Sequence, residues 1–163
     1  MNHLIYHVRY SRWATGRTLE SVRALSDEQM DREVGGSYGN LRGTLTHIYQ
    51  ADQAWFARLM ARPTGPLAEF PPAAARDAWE RDWLELLDRY VAFAEGLDDD
   101  AWGRVMAYRD SRGNPYQSPV WQMLGHWANH GSYHRGQVAT LLRQLGTKAA
   151  GTDLIFYYRE SEA

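Results

Sequence analysis

Three of the chain's six histidines, His126, His130 and His134, stand four residues apart in the stretch running 126–137. On an α-helix each such step advances about 40° around the axis, so the imidazoles would share one stripe about 80° wide. Neighbours on the stripe are one turn apart, the spacing at which two ring nitrogens reach one ion. His130 and His134 thus form an HxxxH pair suited to a metal. His126 and His134 would be about 12 Å apart along the axis, too far to share that ion. His126 is therefore read as a core residue or as a neighbour that orients a ligand. Asn129 and Gln137 flank the stripe and could likewise orient a ring nitrogen or a bound water. Arg135 is read as a contact for an anionic substrate or as a solvated or interface arginine.

His47, within Leu45-Thr46-His47-Ile48-Tyr49, falls on the apolar side of another expected helix. A lone histidine on such a face is commonly a hydrogen-bonded core residue, because an imidazole buried without a partner costs free energy. Three histidines on inward faces of two helices point instead to a shared ion. His3 and His7 repeat the HxxxH spacing at the start of the chain, without an apolar setting, and read as a surface pair. Asp52 lies five residues past His47, about 140° around the helix, and reads as a poor ligand. Asp98-Asp99-Asp100 reads as a helix cap with a solvated face. No residue stands out as a general base, so the catalytic group is unknown at this level.

The elements that must carry these residues are helices. Ser118 as N-cap and Pro119 at the first helical position open the histidine-bearing helix, and Gly146 after Leu145 stops it. Between them Val120, Leu124, Trp127, Gly131, His134, Val138, Leu141 and Leu145 recur at steps of three and four. Earlier helices are expected over about His3 to Leu25, Asn40 to Ala61 and Ala73 to Glu95. Leu41, Leu45, Ile48, Trp55 and Leu59 form the apolar side of the second, and Trp79, Trp83, Leu86, Leu87, Tyr90 and Phe93 that of the third. Ser26 and Gln29 have capping-box spacing for a short turn. The stretch Leu97–Val105 echoes Leu25–Val34, a weak internal repeat that suggests two similar halves. Residues 106–110 and 115–117 read as a hairpin or turn about Ser111-Arg112-Gly113-Asn114. No credible sheet is expected. The pattern predicts an all-α protein, a four-helix bundle with a long connection between helices 2 and 3, and one domain over residues 1–163.

Composition narrows the function. Lys+Arg 18 against Asp+Glu 20 gives a net charge of −2, which offers no basic field for nucleic acid. The chain has no cysteine, so disulfides and thiolate metal sites are excluded. No apolar run approaches a membrane span and no leader pattern opens the chain, so a cytoplasmic protein is expected. Seven tryptophans and ten tyrosines exceed what a small core needs, and predict a homodimer.

Three segments together resemble the DinB-like (YfiT-like) family of metal-dependent enzymes. They are Tyr10-Ser11-Arg12-Trp13-Ala14, the stretch from Ser37 to His47, and the stretch from His126 to Gln137. The resemblance runs over nearly the whole chain, with the histidine-rich segment its most specific part. It implies a four-helix bundle, commonly a homodimer, holding one divalent ion, zinc or nickel, on three histidines. By motif position these are His47, His130 and His134. It leaves the reaction open, since some relatives resemble transferases or isomerases that use low-molecular-weight thiols.

Two readings follow. In the first, three neutral ligands leave coordination positions open, and the protein is a metal-dependent hydrolase or a thiol-dependent transferase acting on a small molecule. In the second, the ion only staples two helices of a binding or stress-response module.

Overall fold

The computed structural model describes residues 3–161 and is mostly helical, with one small sheet. Four long helices dominate it: α1 (Leu4–Val22), α3 (Leu41–Leu59), α4 (Arg76–Glu95) and α6 (Val120–Gln144). Two one-turn helices, α2 (Asp27–Asp31) and α5 (Asp99–Gly103), follow α1 and α4, and α7 (Leu154–Ser161) closes the chain. The expected helices are all present, each shortened by one to three residues at one or both ends.

The weak repeat is matched by geometry. Ser26 caps α2 in a complete capping box with Gln29, and Asp98 caps α5 by accepting from the Ala101 N–H. Each short helix then sinks one large apolar side chain, Met30 or Trp102, into the core.

Helix directions follow from which residues meet. Arg9 and Arg12 of α1, and Arg23 just past its end, pair with Glu95, Asp88 and Glu80 of α4, so these two helices are antiparallel. Tyr49 meets Trp79 and Trp83 while Phe56 meets Tyr90, so α3 and α4 are parallel. That parallel pairing needs a return path, and the long connection supplies it. The Ala68 and Phe70 N–H groups donate to Gln53 and then Thr46, and Arg42 donates to the Phe70 and Pro71 carbonyls. The chain retraces α3 from end to start, with the Phe70 ring buried against Trp79. Asp27 then receives the Ala73 N–H and the Arg42 and Arg76 guanidiniums, which pins the start of α4.

Two details depart from the sequence reading. Residues Val105–Arg109 (β1) and Pro115–Pro119 (β2) form a two-stranded antiparallel sheet where none was expected, although a hairpin or turn was. Its turn is built by Asp110, whose carboxylate accepts the Arg112 and Asn114 N–H groups and the Asn114 amide. Ser118 and Pro119 therefore belong to β2, and Ser118 does not cap α6. The Val120 N–H donates instead to the Arg104 carbonyl at 3.0 Å, so the sheet ladder takes the place of a side-chain cap. At the far end Gly146 adopts φ +75°, and the Gly146 and Thr147 N–H groups close on the Arg143 and Leu142 carbonyls. This is the left-handed stop anticipated from the glycine.

Candidate metal centre

His47 projects from α3, and His130 and His134 project from successive turns of α6. These helices run antiparallel, since His47 meets His130 where Trp55 meets His126. One nitrogen from each of His47, His130 and His134 lies within 4.8 Å of the others, a group able to hold a metal ion. The His47 and His130 Nε2 atoms are 3.0 Å apart. Two nitrogens bound to one tetrahedral zinc at about 2.0–2.1 Å each would be roughly 3.3 Å apart, so the spacing fits an ion with little movement. The His134 Nδ1–H donates to Gln137 Oε1 at 2.8 Å, which leaves Nε2 as the lone pair. The donor set therefore suits zinc or nickel, which accept imidazole readily. Among the described residues no carboxylate joins this group.

The local electrostatics favour the neutral form of His130 and His47. Burial pushes the His130 imidazole down to about 3, helped by His134, His47 and His126 around it. Burial likewise lowers His47, with His134 adding to the effect. An unprotonated imidazole is the form that binds metal.

The remaining residues singled out from sequence fall in distinct places. His126 packs on the Trp55 ring at 4.7 Å and stands outside the three-histidine group. Gln137 holds His134, whereas Asn129 is exposed and makes no hydrogen bond to the imidazoles. His3 and His7 are exposed, as a surface pair should be. Arg135 departs from its readings as a solvated side chain and as a substrate contact. It is 4 % exposed, bonded to Thr15 and Ser132 and set over the Tyr10 ring, so a substrate cannot reach it. Gly131 makes that burial possible, because a Cβ there would stand 2.6 Å from the guanidinium.

Sequence reasoning missed two neighbours of the histidines. Tyr38 stacks on His47 with centroids 4.3 Å apart, and Tyr133 stands edge-on to His134 at 5.0 Å. Asp52, expected only to be a poor ligand, is fully enclosed. Its two oxygens accept the Trp83 and Trp127 indole N–H groups, each at 2.7 Å, and the Tyr90 hydroxyl donates to its backbone carbonyl. Its carboxyl is raised to about 7 by burial, against the opposing pull of the two indoles and Arg135. Its place on the seam, four residues from both Ile48 and Phe56, was the available clue. A carboxylate at a core position requires donors.

Fold and site together define a helical protein with a candidate three-histidine metal centre between antiparallel helices. The sequence pattern of the DinB family matches residues 1–162, and the chain belongs to that family. It is also similar to Protein DinB of Bacillus subtilis (strain 168), 24% identical over 155 residues that cover 91% of this chain and 89% of that one.

Proposed function

We propose that this chain is a metal-dependent enzyme in which His47, His130 and His134 bind one divalent ion, zinc or nickel. The observation that carries the reading is the convergence of three imidazoles with no carboxylate among them. Such a set leaves positions for solvent or substrate, the arrangement of catalytic zinc sites. An ion held there acts as a Lewis acid toward water, a thiol or a carbonyl. Gln137 fixes the His134 ring, and Tyr38 and Tyr133 shield the flanks of His47 and His134. With no cysteine in the chain, a thiol nucleophile would come from a low-molecular-weight co-substrate. The reaction is thus a hydrolysis or a thiol-dependent transfer on a small molecule.

The four long helices are assigned to a single four-helix bundle domain with a long crossover, in line with their up-down-down-up order. A cytoplasmic homodimer is part of the same reading. Four of the seven indoles, Trp79, Trp83, Trp102 and Trp127, are already buried within one chain. Trp121, Tyr116 and Val105 remain more than half or about half exposed near the sheet. No described helix is long and apolar enough to cross a membrane.

The test is turnover of an activated ester, p-nitrophenyl acetate, by zinc-loaded and nickel-loaded protein, with and without 2-mercaptoethanol. The reading expects turnover that chelation and His134→Ala both remove. Metal at one ion per chain with no turnover under either condition would favour the stapled, non-catalytic module.

A further inference from the structure

Beside the imidazoles lies a groove of about 320 Å³, between the 36–37 turn and one face of α6. Its polar lining comprises Ser37, Thr44, Tyr133, Gln137, Thr140 and Gln144, with Leu141 as an apolar floor, and it contains no charged side chain. The groove shares walls with the histidine group. Gln137 bonds His134, Tyr133 packs on His134, and Tyr38, the neighbour of Ser37, stacks on His47.

α6 carries three glycines, and they differ in what a side chain would meet. A Cβ at Gly125 would touch Leu4 at 3.9 Å, and one at Gly131 would meet Arg135 at 2.6 Å. At Gly136 it would meet nothing within 4 Å. Glycine inside a helix is destabilising relative to alanine, and packing does not explain it here. What Gly136 does is line the groove. A bulkier residue at that position would fill it.

We propose that this groove is the subsite for the non-reacting part of the substrate, an uncharged group rich in hydroxyls or amides, and that the bare backbone at Gly136 opens it. This rests on the enzyme reading above. The Ser37, Tyr133 and Gln144 side chains have no hydrogen-bond partner among the described residues and are free to serve a ligand. An apolar group of similar size would leave those three side chains without a partner, so the groove favours hydroxyls and amides.

The test uses cobalt-loaded protein and two uncharged thiols of similar size, 1-thioglycerol and 1-butanethiol, followed by sulfur-to-cobalt charge-transfer absorption. On binding, the thiol proton leaves to buffer and the sulfur bonds the ion. Azide, too small to use the groove, reports the open metal position alone. The proposal expects 1-thioglycerol to bind at least about tenfold tighter than 1-butanethiol, and Gly136→Leu to weaken it about tenfold with azide affinity unchanged. Gly136→Ala should raise the melting midpoint by about 2–4 °C, which shows that the glycine is not there for stability. Equal affinity for the two thiols, or undiminished 1-thioglycerol binding in Gly136→Leu, overturns the subsite while leaving the metal enzyme intact. Failure to take up cobalt or azide overturns the enzyme reading itself, and the subsite with it.

Discussion

The Nε2 atoms of His47 and His130 face each other at 3.0 Å across two antiparallel helices, although 83 residues separate them in the chain. Two lone pairs at that distance repel unless a proton or a cation lies between them. With His134 completing the group, the cation is zinc or nickel in the function proposed here.

The first prediction follows from that contact. His47→Ala and His134→Ala should each abolish tight zinc binding, because one of three protein ligands is lost. His126→Ala should leave tight binding in place, since its ring lies against Trp55 and outside the group. Isothermal titration with zinc on the three variants decides the matter. Equal losses in His126→Ala and His134→Ala would show the ligand set to be wrong.

The second concerns pH. The folded protein holds His130 at about 3, against an ordinary 6.5, so it stays neutral while the unfolded chain takes up a proton. Its contribution to stability is therefore full above about pH 6.5 and declines as pH falls toward 3. Zinc affinity should fall over the same range, because protons compete for the ligands. Metal-free His130→Phe should show a flatter decline in melting midpoint between pH 6.5 and 4.5 than the parent. An unchanged slope would remove His130 as its source.

Asp52 carries the opposite sign. Its carboxyl, raised from 3.8 to about 7, stays protonated in the folded state while the unfolded chain ionises. Stability from this group is full below about pH 4 and lost as pH rises to about 7, on the order of 4 kcal/mol. Asp52→Asn keeps an oxygen for one indole and cannot ionise, so that variant should lose the pH dependence in this window. Urea unfolding at pH 4.5 and pH 7 measures the difference. A parent protein equally stable at both, after correction for the histidines, would contradict the assignment.

Ala61 ends α3 in the left-handed conformation, with φ 50°. The Ala61 and Arg62 N–H groups bond the Arg58 and Ala57 carbonyls, so the position plays the part that Gly146 plays after α6. A side chain there is strained, and Ala61→Gly should stabilise the protein by about 1 kcal/mol, or about 2–4 °C in melting midpoint. A lower midpoint would mean that the alanine methyl contributes packing that outweighs the strain.

The positions of the helices and the identity of the three histidines were legible in the sequence. Apolar spacing of three and four residues, the Ser26–Gln29 box and the Gly146 stop are local features, set by backbone geometry and by which side chains leave water. The four-residue step from His130 to His134 is likewise local, so their shared face could be read directly. Ser118 was misread because its capping propensity is local too, whereas the strand pairing that overrides it joins residues 105–109 to 115–119.

What only the tertiary structure decided depends on contacts between distant segments. The register of α3 against α6 sets His47 opposite His130, and no spacing rule contains that register. The same packing encloses Asp52 between indoles from α4 and α6, and draws Arg135 under α1 where sequence suggested solvent, an interface or substrate. A charged residue reads as exposed until its partners are known. Its burial is fixed by donors and acceptors that arrive from other helices, which only the folded chain brings together.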